Sequence, residues 1–147
     1  MDAQQREIED QFGRLQRLIK RGDLAAIRRE LDAGLSPNFE NRNGWTMLML
    51  AASEGNTALA ELLLSAGADV NRLTTADAPH PGQSAMSLAV VHGHVRFIQM
   101  LLEHGANPDS PPNGTAAENW IPASQADSKT RKTMLSLIRA HRAKHSP

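Results

Sequence analysis

Cysteine and tyrosine are both absent from this chain of 147 residues, which has only three phenylalanines and two tryptophans. Without cysteine there are no disulfides, no thiol catalysis and no zinc site built on cysteine ligands. Because aromatic residues make up 3% of the sequence, the core must be built from Leu, Ala, Ile, Val and Met. The length is typical of one domain.

Neither sign of charge is in excess, because 16 basic residues balance 16 acidic residues. A nucleic-acid-binding domain normally carries a basic excess, so nucleic acid is not the expected partner. No apolar run approaches the ~20 residues of a membrane-spanning helix, and the polar, acidic start of the chain does not have the pattern of a secretory signal. We therefore expect a soluble, cytoplasmic protein that does not act at a membrane.

Glycine, in contrast, is regularly spaced along the chain. Three pairs of glycines are each separated by 12 residues, and the first members of successive pairs are 33 and 38 residues apart. Apolar residues between the paired glycines recur at helical spacing. Repetition at such a period is typical of solenoid proteins. The pairs are Gly22 and Gly34, Gly55 and Gly67, and Gly93 and Gly105.

Capping residues predict two helices in each unit. Asp23 and Asn56 directly follow the first glycine of a pair and predict the N-caps of the longer helices. Thr46 and Ser84 predict the N-caps of short helices that lie before the first glycine of the second and third pairs. The second glycine of each pair predicts a left-handed residue that ends the longer helix. Four residues beyond that glycine stands an asparagine in the first two units, at positions 38 and 71.

These motifs resemble those of the ankyrin repeat family, whose signature G-x-T-P-L-H-x-A-A appears here as G-W-T-M-L-M-L-A-A at 44–52 and more loosely at 82–90. The family's G-A-D-V-N stands intact at 67–71. The resemblance covers roughly residues 12–141 and implies an all-α solenoid of about four helix-turn-helix units with short β-turn fingers. The implied units are an N-terminal cap at 1–40, repeats at 41–72 and 73–109, and a C-terminal cap with a basic tail at 110–147.

Two fingers depart from the family pattern because they carry about five and four extra residues, in the segments before Gly82 and before Asn119. Both inserts are polar and contain prolines, which limit regular strand pairing. Each is either a neutral surface insertion or a lengthened contact loop held by a rigid scaffold. In the C-terminal unit we expect a first helix over 120–126 and a replaced glycine corner near Thr130.

Charge is unevenly distributed along the sequence. Residues 40–127 contain three basic and nine acidic residues, whereas residues 128–147 contain six basic and no acidic residues. The acidic middle favours a partner with a basic surface. The tail suits the C-terminal end of a last helix, whose dipole favours cations; a role in binding RNA or an anionic membrane is the alternative.

No motif of a catalytic, phosphate-binding or dinucleotide-binding site occurs in the sequence. His92 and His94 flank a glycine corner, where we expect them to face different ways, and no carboxylate stands at ligand spacing. His94 matches the family's corner residue, which implies a structural role. We therefore expect no enzymatic activity, no cofactor and no metal.

The resemblance implies that binding uses the finger tips and the concave face of the first helices. Both tryptophans are expected at the surface of fingers, and tryptophan is enriched in binding hot spots; shielding of the neighbouring finger is the alternative. The candidate partner-binding residues are Glu40, Arg42, Asn43, Trp45, Ser53, Glu54, Arg72, Asp77, His80, Gln83, Val91, His92 and Trp120.

We expect the chain to be a monomer on its own that binds another protein, as an inhibitor, an adaptor or an immunity protein of the antitoxin kind. The alternative is a regulatory or assembly subunit of a larger enzyme complex. An obligate subunit would bury a larger and more apolar interface than a reversible binder does.

Overall fold

The computed structural model describes residues 1–108, 119, 121–122 and 124–145. Helices pair in chain order, α1 with α2, α3 with α4 and α5 with α6, and α7 packs against α6. No β-strand occurs in these described ranges, so the predicted all-α repeat solenoid is confirmed. The helices are α1 (Ala3–Lys20), α2 (Leu24–Asp32), α3 (Met47–Glu54), α4 (Thr57–Ser65), α5 (Ala85–Val91), α6 (Val95–Glu103) and α7 (Ser128–His145).

The predicted caps begin the helices. The Asp23 carboxylate accepts the Ala26 N–H and the Asn56 side chain accepts the Leu59 N–H, both at 3.0 Å. Thr46 and Ser84 cap α3 and α5 in the same way. Each cap satisfies a backbone donor that the first turn of a helix leaves unpaired, and contributes about 1 kcal/mol.

The core is one continuous layer of aliphatic and methionine side chains that runs through all the helix pairs. Met47 and Met49 are fully buried in it, as their positions on the predicted first helix require. Fully buried alanines at 51, 52 and 89 allow α3 and α5 to approach closely. The core is therefore continuous although aromatic residues are scarce, since small residues set the spacing between helices and methionines fill the gaps.

The regularly placed asparagines join successive units. The side chain of Asn38 accepts the Asp69 N–H at 2.7 Å, and the side chain of Asn71 accepts the Asn107 N–H at 2.9 Å. Each bond therefore connects the loop after one helix pair to the loop after the next. The repeat of asparagine along the sequence is explained by this contact, which repeats along the stack.

A histidine makes a second kind of contact between units. The Nε2 atom of His94 lies 3.2 Å from the carbonyl oxygen of Ser53, and its ring lies over Gly55. The structural role expected for His94 thus has a physical basis. The expectation that His92 and His94 face different ways is wrong, because their rings are nearly parallel with centroids 6.0 Å apart.

The C-terminal unit differs from the expectation in its helices. Helix α7 runs unbroken from Ser128, and the Asp127 carboxylate accepts the Thr130 N–H at 2.7 Å. A replaced corner near Thr130 is therefore wrong, because this N-cap starts the helix before that residue. The described residues between Pro108 and Ser128 form no α-helix, and Trp120 lies outside the described residues.

Candidate functional site

The first finger, residues 40–46, is held by the side chain and backbone of one residue. The Oδ1 atom of Asn41 accepts the N–H groups of Asn43 and Trp45, both at 3.0 Å. The Asn41 backbone N–H donates to the Trp45 carbonyl at 3.0 Å, and its carbonyl accepts the Gly44 N–H at 2.9 Å. Four hydrogen bonds thus fix the finger and the position of Trp45 at its end.

The N-terminal part of α1 supports this finger from one side. With the repeat offset of 33, the start of α3 corresponds to residue 14, so residues 3–13 of α1 form an extension of about three turns. The Arg42 N–H donates to the Glu9 carboxylate at 2.9 Å. Phe12 is 5% exposed and stacks on Phe39 with ring centroids 6.4 Å apart. The extension therefore packs on the finger as a further finger would.

A groove of about 330 Å³ lies between the α1 extension and the first finger. We call it the Trp45 groove. Trp45 is half-buried, packs against the core and also lines the groove. Among the described residues that line it, Glu9 is the only charged one. The lining residues are Glu9, Phe12, Gly13, Gln16, Asn41, Asn43, Trp45 and Leu50.

Glu40 and Arg72 form an ion pair across the first and second fingers. Their side chains are 3.7 Å apart and are 37% and 43% exposed. A pair this exposed contributes at most about 1 kcal/mol to stability. Its main effect is to offset the negative charge of Glu40, which reduces the acidic field expected at the first finger.

The second finger, which contains the first insertion, is folded around a buried threonine. The Thr74 hydroxyl donates to the His80 carbonyl at 2.6 Å and accepts the Gln83 N–H at 2.8 Å. The Thr75 N–H donates to the Asn43 carbonyl at 3.0 Å, which joins this finger to the first. Asp77 and His80 remain exposed on its outer side. The insertion thus has a fixed conformation that buttresses the first finger.

A Cβ atom at Gly44 would lie 3.1 Å from backbone atoms of residues 73–75, so the two fingers are packed backbone to backbone. Gly44 also has φ +76°, in the left-handed region that other residues rarely adopt. The close approach of the fingers therefore depends on glycine at this position.

Four candidates lie at the other end of the first helices. Ser53 and Glu54 end α3, about 12 Å along the helix axis from Trp45. The Ser53 hydroxyl donates to the Met49 carbonyl, and the Val91 carbonyl accepts the Gln125 N–H at 2.8 Å. His92 contacts the Leu88 carbonyl through Nδ1 at 2.9 Å.

Ser53, Val91 and His92 of this second group are half-buried and bonded within or between the units, whereas Glu54 is exposed.

The structure thus divides the predicted binding residues between places. Glu40, Arg42, Asn43, Trp45 and Arg72 lie together at the first finger. Asp77, His80 and Gln83 belong to the second finger, and the remaining described candidates lie at the helix ends. Trp120 is outside the described residues.

Sequence reasoning missed the α1 wall of the Trp45 groove. The repeat offset could have revealed this wall. Phe12 lies 33 residues before Trp45, and Glu9 lies 33 residues before Arg42. The glycine register begins only at Gly22, so it did not extend to these positions.

None of the ionisable groups with a shifted pKa in the described chain lines the Trp45 groove. A hydrogen bond from the Arg14 guanidinium at 2.5 Å lowers the pKa of Glu30. The Thr130 backbone N–H lowers the pKa of Asp127. Burial, followed by the charges of neighbouring cationic side chains, lowers the pKa of His141.

The described residues contain no group of three or more side chains placed to hold a metal ion. None of the helices in these ranges is both long and apolar enough to cross a membrane.

A family model and several individual known proteins match this chain. Residues 15–111 match a family model described as ankyrin repeats in three copies. The chain is 38% identical over 91 residues to mouse ankyrin repeat and SOCS box protein 2, which covers 59% of this chain and 13% of that protein. It is 28% identical over 109 residues to human ankyrin repeat, SAM and basic leucine zipper domain-containing protein 1, which covers 69% of this chain and 21% of that protein.

A third relative is the glycerophosphocholine phosphodiesterase gde1 of Schizosaccharomyces pombe, 30% identical over 112 residues that make up 76% of this chain and 9% of that enzyme. The chain therefore spans between 9% and 21% of the length of these three relatives. The family model begins within α1 and includes α2 to α6.

Proposed function

This chain belongs to the ankyrin repeat family, whose repeats are generally protein–protein interaction modules, and we propose that it is a non-catalytic module that binds a partner protein through the face around its first finger. Stacked repeats present extended surfaces made of neighbouring units, which suits recognition of another folded protein. The proposed face comprises the Trp45 groove and the exposed residues of the first finger.

The observation that carries this proposal is the way in which Trp45 is held. Its backbone is fixed by Asn41, and its side chain packs against the core and lines an open groove. Because the Trp45 side chain is already held in place, contact with a partner removes little of its conformational freedom. The entropic cost of binding is therefore low. Tryptophan in such a position is typical of a binding hot spot.

The role that we propose is that of a reversible inhibitor, adaptor or immunity protein in the cytoplasm, acting on a partner with a basic surface. Among the described residues, the large hydrophobic side chains that are exposed are Met1 at 62% and Leu73 at 37%. An obligate subunit would leave a wider apolar surface uncovered when alone. This supports reversible binding over a fixed place in a larger enzyme complex.

The experiment that tests the proposal compares capture of a partner by the wild type, by Trp45→Ala and by Leu73→Ala. Leu73 is the matched control, because it is an exposed large apolar residue on the neighbouring finger that does not line the groove. We expect Trp45→Ala to weaken binding about 30-fold or more, as loss of a hot spot does, and Leu73→Ala to change it little.

Circular dichroism and thermal unfolding of each variant separate loss of binding from loss of folding. Equal capture by a folded Trp45→Ala variant would contradict the proposed face. Recovery of the chain only as part of a stable complex with a large apolar interface would favour the role of an assembly subunit.

A further inference from the structure

The Trp45 groove has a wall that the internal units of the stack lack. Glu9, Phe12 and Gly13 belong to the α1 extension, whereas α3 and α5 begin directly after their fingers. The wall brings a carboxylate into the groove that the Trp45 indole ring also lines. A volume of about 330 Å³ is at the lower end of the ~300–1,000 Å³ of sites that hold a small ligand. It suits one side chain of a partner.

The Glu9 carboxylate is positioned by the first finger. Its Oε1 atom accepts the Arg42 N–H at 2.9 Å, which fixes the carboxylate at the groove. An ionised carboxylate has about four acceptor sites and can therefore accept further donors. The side chains of Gln16 and Asn43, which also line the groove, make no hydrogen bond to other described residues. Their amide oxygens are additional acceptors.

The aromatic part of the groove complements these acceptors. Trp45 lines one side and Phe12 lies on the opposite, α1 side. Cations within about 6 Å of an indole ring are attracted by its electron-rich face. A guanidinium group is planar, stacks on aromatic rings and presents five N–H donors, whereas an ammonium group has no flat face to stack. The combination of carboxylate, amide oxygens and indole therefore favours arginine.

We propose that the Trp45 groove binds an arginine side chain of the partner, whose guanidinium pairs with Glu9 and lies against Trp45. This inference rests on the proposed protein-binding function and specifies the chemistry of the partner at that face. Arg17 on the same helix reaches back over Gly13, with Nη1 3.6 Å from where a Cβ would lie, and does not line the groove. The positive charge of Arg17 repels the guanidinium of a bound arginine, so we expect a single free arginine to bind weakly.

The test uses small probes and reads the environment of Trp45 directly. N-acetylarginine amide is titrated against the ¹⁵N-labelled full chain at constant ionic strength, and N-acetylcitrulline amide is the uncharged probe of nearly the same shape. The indole N–H signal of Trp45 is assigned with Trp45→Phe. We expect arginine to shift this signal saturably, with citrulline binding about fivefold or more weakly.

Glu9→Gln is the decisive variant, because the glutamine oxygen can still accept the Arg42 N–H while the charge is removed. An unchanged Arg42 amide signal shows that the finger is intact. Glu7→Gln removes a charge from the exposed part of the same helix and is the matched control. We expect Glu9→Gln to weaken arginine binding about fivefold and Glu7→Gln to leave it unchanged.

Equal binding of arginine and citrulline, or unchanged arginine binding by Glu9→Gln, would overturn the inference. A lysine probe that binds as tightly as arginine would overturn the assignment to a guanidinium. The two proposals fail separately. If Trp45→Ala loses the partner and Glu9→Gln keeps it, the proposed function stands and the arginine site is rejected. If the chain binds arginine but captures no protein partner, the arginine site stands and the proposed function is rejected.

Discussion

Replacement of Gly55 by alanine is expected to destabilise the protein more than replacement of Gly22, although both residues form the corner between the helices of a pair. Their φ angles are +68° and +71°, so the strain on an alanine backbone is nearly equal at the two sites. The neighbours differ. A Cβ at Gly55 would lie 2.7 Å from Nδ1 of His94, whereas nothing lies within 4 Å of a Cβ at Gly22.

The magnitudes follow from these two terms. Left-handed alanine costs about 1–2 kcal/mol, and the smaller conformational freedom of alanine in the unfolded chain offsets about 0.4–1 kcal/mol of that cost. Gly22→Ala should therefore lower the free energy of unfolding by about 1 kcal/mol. At Gly55 the His94 ring must also move, and its contact with the Ser53 carbonyl contributes about 1 kcal/mol. We expect a total loss of about 2 kcal/mol for Gly55→Ala.

The assay is urea unfolding monitored by circular dichroism at 222 nm, with the denaturant slope compared between variants to check cooperativity. The double variant Gly55→Ala with His94→Ala completes the test. Removal of the ring relieves the clash, so the double variant should be about 1 kcal/mol more stable than the sum of the two single losses predicts. Equal losses for Gly22→Ala and Gly55→Ala would refute the reasoning.

Three further predictions concern single side chains. Asn71→Ala removes the acceptor of the Asn107 N–H and should cost about 1 kcal/mol in the same urea titration; an unchanged midpoint would contradict a role for this bond in joining the units. Asp127→Ala removes the acceptor of the Thr130 N–H, so hydrogen exchange should quicken in the first turn of α7, while Asp127→Asn, which retains a capping oxygen, should preserve protection. Because burial lowers the pKa of His141 below its ordinary value in the folded chain, the contribution of neutral His141 to stability is fully present above the ordinary pKa and is lost as pH falls through the folded pKa. Unfolding experiments between pH 8 and 5, spanning about that range, should show a smaller pH dependence for His141→Gln, and identical profiles would rule out this group as the source.

The helices were predictable from the sequence because the signals that begin and end them are local. Asn56 caps α4 through a bond to a residue three positions away, and Gly55 supplies a left-handed corner that few other residues adopt. Such signals can be recognised from a few neighbouring residues in the sequence. Repetition made them stronger, since each unit shows the same signals in the same order.

The candidate site was predictable only in part because its walls come from separate units. Trp45, Asn43 and Arg42 follow from the position of the finger, whereas Glu9 lies on a helix extension without a glycine register. The conformation of the second finger depends on burial of Thr74, which is 4% exposed. No local pattern distinguishes this threonine from an exposed one, since its burial arises from packing against the first finger.

The sequence separations of the contacts between units have a consequence for the kinetics of folding. The hydrogen bonds from Arg42 to Glu9, from Asp69 to Asn38 and from Asn107 to Asn71 span 33, 31 and 36 residues. The entropic cost of closing a loop grows only with the logarithm of its length, so these closures cost nearly the same. None of these three contacts, all between described residues, requires a distant part of the chain to be folded first. Folding can therefore start at any of these interfaces and spread in both directions. The moderate sequence separation of these contacts favours fast folding.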